Sequence, residues 1–194
     1  MKSIVEDYLR RSIAVKQAFL EQQSEALVAA AERLGVCLAK GGKVLIFGNG
    51  GSAADAQHMA TELVVRLSSN FEREAIPALA LTTDSSLLTA CANDYGFERV
   101  FARQVEAFGQ AGDVALGIST SGNSGNVIEA FRLARERGMV TVLMSGKTGG
   151  MLAELSDAAI LVPSTVTSHI QECHIATVHI LCELIERRNF GRDA

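Results

Sequence analysis

Several things are missing from this 194-residue chain. No window reaches the ~18 consecutive apolar residues of a membrane-spanning helix, so no span is expected. The start, Met1-Lys2-Ser3-Ile4-Val5-Glu6-Asp7, meets acidic residues at once and has no apolar leader run, so no secretory signal is expected. There is no basic excess: the formal net charge is −4, which leaves no electrostatic footprint for nucleic acid. The four cysteines (Cys37, Cys91, Cys173, Cys182) form no CxxC pair and no regular framework. They read as buried thiols in a reducing cytoplasm. Proline is scarce and absent from the first forty residues. No linker, low-complexity tract or long repeat divides the chain. One domain over 1–194 is expected, with a helical segment at 1–40 and an α/β core at 41–194.

What the chain does contain is alternation. Leu27, Ala31, Leu34 and Leu38 recur at helical spacing, and Gly41-Gly42 stops that helix. Ile4, Tyr8 and Phe19 suggest a separate, earlier helix. Strands are then expected at Val44–Phe47, Ile76–Leu81, Val114–Ile118, Val140–Met144 and Ala158–Val162. Helices are expected at 52–67, 85–93, 97–108, 126–137, 149–155 and 170–188. Continuous apolar strands alternating with helices imply a parallel sheet covered on both faces. Ligands of such sheets sit beyond the carboxyl ends of the strands.

Two loops leave that edge. Gly48-Asn49-Gly50-Gly51-Ser52 is no P-loop, because the Gly-Lys-Ser/Thr ending is missing. Ala53 stands where a dinucleotide fingerprint has its third glycine. A tight turn needing positive φ and an anion cradle remain equally open for this loop. Ser119-Thr120-Ser121-Gly122-Asn123-Ser124 is more specific, with four hydroxyls where one suffices to cap a helix. The remaining hydroxyls can donate to phosphate oxygens. The loop holds no lysine or arginine, so neutral donors and the helix dipole would carry the affinity, which suits a monophosphate.

Acid/base candidates lie on two helices. His58 and Glu62, at i and i+4, share one face. Gln171 and His179, eight residues apart, lie about 80° apart around the last helix and can lean toward one crevice. His169 and His174 read as structural histidines. Glu62 alone could simply pair with Arg66 at i+4. Its position is more telling: it sits ~10 Å or more along a helix whose N-terminus faces the anion, suiting a base at the far end of an extended sugar phosphate.

Together these residues resemble the sugar isomerase (SIS) domain family and, within it, the phosphoheptose isomerase branch. The likeness runs through Gly48–Ser52, Ala56–Leu63, Asn93-Asp94-Tyr95-Gly96-Phe97, Gly117–Ser124 and Ile170-Gln171-Glu172-Cys173-His174. His58/Glu62 with Gln171/His179 narrows it to that branch. The resemblance implies a flavodoxin-like five-stranded sheet and a homotetramer built on the N-terminal helices, with sites completed by neighbouring subunits. Ser52, Ser119, Thr120, Ser121 and Ser124 would hold phosphate. Asn49, Gly50, Gly51, Asn93, Asp94 and Gln171 would line the sugar, and Glu62 and His179 would be the acid/base pair. Zinc is an open possibility, its ligand set falling on His58, Glu62, Gln171 and His179. Two departures mark the last helix: His169 stands where a basic residue commonly precedes Ile-Gln-Glu, and Ser168 where an acidic one sometimes does.

The activity implied is interconversion of sedoheptulose 7-phosphate and D-glycero-D-manno-heptose 7-phosphate through an enediol, for bacterial envelope heptose. No nucleotide cofactor is expected. The rival is a non-catalytic phosphosugar-binding protein, such as a partner of the replication initiator. The presence of both Glu62 and His179 favours the enzyme.

Overall fold

The structure, a computed structural model, describes residues 1–191. It opens with one uninterrupted helix, α1 (Lys2–Ala39), where the apolar pattern suggests two. Nothing between Phe19 and Leu27 breaks it: that stretch holds neither glycine nor proline. The shift of apolar residues reflects a change of neighbour, not a turn. Tyr8 and Ser12 donate to the Glu172 carboxylate, Gln23 Oε1 accepts from Leu161 N–H at 2.9 Å, and Asn189 Nδ2 donates to the Gly35 carbonyl at 3.1 Å. The Ser12 and Tyr8 hydroxyls, Ser12 most, hold the Glu172 carboxyl below the usual range.

The rest alternates: β1 (Val44–Gly48), α2 (Gly51–Val64), β2 (Ala78–Ala80), α3 (Ser85–Tyr95), α4 (Val100–Phe108), β3 (Val114–Ser119), α5 (Gly125–Glu136), β4 (Val140–Gly146), α6 (Gly150–Glu154), β5 (Ala158–Val162) and α7 (Thr167–Phe190). The strands form a five-stranded sheet in the order β2-β1-β3-β4-β5, parallel at every pairing. This is the flavodoxin-like order, with its switch point between β1 and β3. Four elements, α2, β2, α4 and α6, are shorter than the pattern suggests, β2 and α4 by three residues each. β2 starts after Pro77, whose carbonyl accepts from Val44 N–H at 3.0 Å but whose nitrogen has no hydrogen to give. The stretch before α4 is a 3₁₀ turn at Phe97–Arg99, following Gly96 at φ 89°.

Side chains of each strand alternate between two cores. Val44, Ile46, Val114, Leu116, Ile118, Val142 and Met144 pack with α1, α2 and α7 residues such as Leu34, Met59, Leu63 and Leu181. Leu45, Phe47, Ala115 and Leu143 face α4, α5 and α6 residues such as Phe101, Phe131 and Leu152. Phe47 stacks on Phe101, centroids 5.4 Å apart, and meets Phe131 edge-on at 6.0 Å. Burial on both faces explains why the strands read as unbroken apolar runs. All four cysteines are free and buried.

Two α7 histidines belong to this packing. His169 and His174 are 2% and 0% exposed, and among the described residues no ring nitrogen of either has a hydrogen-bond partner. His169 stacks near Tyr8, with ring centroids 4.6 Å apart. Burial pushes His174 down to about 4, outweighing a weak main-chain contact at Ser145. Between pH 6.5 and 4 the unfolded chain therefore takes up a proton at this ring that the folded chain refuses. Stability is full above about pH 6.5 and is lost as pH falls toward 4, by at most about 3 kcal/mol from this group. His174→Leu is expected to flatten the fall in Tm between pH 6.5 and 4, read by thermal unfolding across that range.

Candidate active site

The β1–β3 ladder brings the two glycine/hydroxyl loops side by side. Gly48 is paired with Ile118, so the residues that follow leave the sheet next to each other. Their helices then diverge, α2 to one face and α5 to the other. Across the crevice Asn49 and Asn126 exchange two amide hydrogen bonds of 2.9 and 2.8 Å. Asn126 is 4% exposed, and sequence reasoning missed it because a helical asparagine carries no pattern of its own.

The first loop is the tight turn that its glycines suggest, with Gly50 at φ 58°. Ser52 is buried. Gly51 lies flat against Gln171: a Cβ there would stand 2.3 Å from Gln171 Nε2. In the second loop Ser119 Oγ lies 2.9 Å from Ser124 Oγ and 3.5 Å from Ser121 Oγ. Ser124 is the N-cap residue of α5 yet spends no side-chain bond on capping, and α2 likewise has no side-chain cap. Both helix N-termini thus keep donors for an anion. Gly122, at φ 69°, lets the loop touch the turn before α6: a Cβ there would fall 1.9 Å from the Gly149 carbonyl oxygen.

Thr120, Ser121 and Asn123 share a cavity of about 360 Å³ with Lys147, Thr148, Thr165 and Thr167. The loop holds no cation, but Lys147, from the end of β4, brings one beside it. Lys147 adopts φ 51°, which is uncommon outside glycine. No sequence motif linked it to the second loop.

The acid/base candidates converge farther along α2 and α7. His58 Nε2 lies 2.9 Å from His179 Nε2 and 3.4 Å from Glu62 Oε1, and one ligand atom from each of the three lies within 4.8 Å of the others. The Glu62 side chain is 17% exposed and that of His58 40%, while His179 is exposed. A 2.9 Å contact between two ring nitrogens needs one donor and one acceptor, so the pair shares a proton. Arg66 does not take Glu62 as partner; it pairs with Glu72 at 2.8 Å. One turn before His58, Asp55 Oδ2 is buried without a partner. Burial raises the Asp55 carboxyl and the nearby His58 charge opposes that rise. Only the three-residue spacing from His58 could have pointed to it.

This donor set suits a metal. Two ligands of a tetrahedral zinc lie about 3.3 Å apart, and the 2.9 and 3.4 Å separations here bracket that value. Gln171, a poor zinc ligand, lies two turns earlier on α7, against Gly51. Asn93 and Asp94 come from a third element, α3. Both are exposed on α3 and bonded to each other at 2.8 Å. Asp94 lines a separate cavity of about 280 Å³ with Cys91, Tyr95 and Arg103. A larger groove of about 790 Å³ lies beside Leu38, Pro77 and Arg188, away from all these groups.

A family model of the SIS domain matches residues 7–146. The chain belongs to the SIS domain family. Among its SIS relatives is the phosphoheptose isomerase of Roseiflexus sp. (strain RS-1), 53% identical over 95% of this chain and 92% of its own length. The solved phosphoheptose isomerase of Neisseria gonorrhoeae superposes with a TM-score of 0.89 at 46% identity, covering 95% of this chain and 98% of that one. That of Francisella tularensis gives 0.91 at 37% identity, covering 95% and 97%. This SIS chain sits in the phosphoheptose isomerase branch.

Proposed function

We propose that this SIS protein is an aldose–ketose isomerase that interconverts sedoheptulose 7-phosphate and D-glycero-D-manno-heptose 7-phosphate. One observation carries the reading beyond the names of its relatives: His58, Glu62 and His179 meet on the same pair of helices whose beginnings face the serine-lined loops. A phosphosugar-binding protein without chemistry has no use for a carboxylate and two imidazoles held together. No helix among the described residues is long and apolar enough to cross a membrane.

Ser52, Ser119, Thr120, Ser121 and Ser124, with the α2 and α5 N-termini, grip the phosphate. Asn49, Gly50, Gly51 and Gln171 line the sugar chain that runs along α2. In the ketose direction, Glu62 takes a proton from C1 while His179 gives one to the C2 carbonyl oxygen, forming the enediol. His179 then takes the proton of O1 and Glu62 returns its own to C2, leaving the aldehyde at C1. Each group ends as it began. His58, sharing a proton with His179, orients that ring. By the same family pattern, Asn93 and Asp94 also line the sugar. His58, Glu62 and His179 are the residues that would hold zinc, and the family resemblance adds Gln171, which in this protomer lies against Gly51; a metal held there would occupy the base and the acid and would polarise the substrate oxygens instead. The pathway served is heptose supply for the bacterial envelope.

The homotetramer that the family resemblance implies would be built on α1. Val5, Leu9, Ile13 and Leu20 are 54–66% exposed and recur along one stripe of the helix. Leu20 and Val28 also border an apolar groove with Ile180 and Leu184. Second copies of this chain cover both.

Three measurements test this reading. Glu62→Gln and His179→Gln should each lower kcat about 100-fold or more, with KM little changed, in an NMR assay of aldose formation from sedoheptulose 7-phosphate. Near-normal turnover in both would refute the assignment. Calorimetric zinc titration of metal-stripped protein should show binding that His58→Ala abolishes. Sedimentation equilibrium should give four times the 20.6 kDa chain mass, and Leu9→Glu/Ile13→Glu a smaller species.

A further inference from the structure

Helices α2 and α7 run in the same direction and touch in register. Gly51 meets Gln171, then His58 meets His179. Beyond that point lies a third contact, buried and ionic. Arg73, in the segment between α2 and β2, donates through Nε to Glu186 Oε1 at 2.9 Å. The two side chains are 1% and 0% exposed. Arg73 Nη2 donates to the main-chain carbonyl of Glu62 at 2.7 Å, and Nη1 to that of Glu74 at 2.9 Å. Glu186 Oε1 also accepts from Leu67 N–H at 3.3 Å, and the Phe190 ring lies under the guanidinium, 5.8 Å from centroid to Cζ.

The carbonyl that Arg73 takes matters. It belongs to the last turn of α2, where carbonyls have no partner within the helix and the dipole presents its negative end. Val65 N–H satisfies Thr61 and Ile76 N–H satisfies Leu63. Glu62 between them is satisfied by Arg73. One guanidinium therefore holds the backbone of the residue whose carboxylate faces His179, and through Glu186 it is anchored to α7 two turns beyond His179. The surroundings are closed to solvent: neither side chain of the pair is exposed, and neighbouring Cys182 is fully buried.

We propose that Arg73 and Glu186 are positioning residues for the isomerisation, setting the gap between α2 and α7 that brings Glu62 to His179. The inference rests on the acid/base roles given above. Catalysis falls steeply with misplacement of about 1 Å, and a buried pair with three further main-chain bonds is a stiff spacer. Lysine at position 73 would keep the charge but not the fork that reaches the Glu186 and Glu62 oxygens together.

Two variants test the role: Arg73→Lys, and Arg73→Met/Glu186→Leu, which removes both charges so that neither is left unpaired. In a folded variant kcat for sedoheptulose 7-phosphate should fall about ten-fold or more, with KM within about two-fold of wild type. Arg73→Lys should cost less than about two-fold when added to Glu62→Gln, because the group it positions is already gone. Ring ¹⁵N spectra of unliganded protein should show the His58–His179 hydrogen bond altered. Wild-type kcat in either folded variant, a full-sized loss in the Glu62→Gln background, or unaltered imidazole signals would each overturn the proposal. So would failure of both variants to fold, which would make the pair a determinant of the fold alone. A wild-type protein with no turnover would instead fault the isomerase reading, and the spectra would still decide whether Arg73 sets the His58–His179 contact.

Discussion

The site depends on the pairing of β1 with β3. These strands are neighbours in space but not in sequence, and the chain leaves them for opposite faces of the sheet. A crevice must open where the two crossovers part. Gly48 opposite Ile118 sets how the loops stand across it, and the reciprocal amides of Asn49 and Asn126 span it. Slipping this register would separate the serines from Ser52 and would turn the core side chains of β3 to the wrong face.

Charge is handled sparingly around this crevice. The second loop offers hydroxyls that bond to one another at 2.9 to 3.5 Å and can turn toward a ligand without desolvating a cation. Lys147 stands beside the loop, not in it. The groups proposed to move protons, Glu62 and His179, lie farther along α2 and α7. In the proposed reading, binding falls to the beginnings of α2 and α5 and chemistry to side chains farther along α2 and α7. That division lets a substitution such as Glu62→Gln separate kcat from KM.

Much of this was legible in the sequence, for physical reasons. The strands were plain because sheets covered on both faces need unbroken apolar runs. The loops were plain because turns and anions both demand glycine and hydroxyls. His58 with Glu62, and Gln171 with His179, could be paired because helical spacing alone places them on a face. The continuity of α1 was not legible: Ile4 and Phe19 seemed to belong to another helix than Leu27, yet Ile4 is exposed and Phe19 buried in one rod. Arg73 with Glu186 was hidden as well. The two residues are far apart in sequence, and nothing local distinguishes a buried arginine from a solvated one. Asn93 and Asp94 were legible only through the family resemblance: exposed and bonded to each other on α3, they carry no local pattern of their own.

A 38-residue helix extends about 57 Å at 1.5 Å per residue, more than the width of a globular body of this size. The first turns of α1 therefore overhang, touching their own protomer mainly through Tyr8 and Ser12. Residues on that overhang are under no obligation to the sheet. What they must match instead is another surface, while the crevice is held in place by the sheet and by α2 and α7.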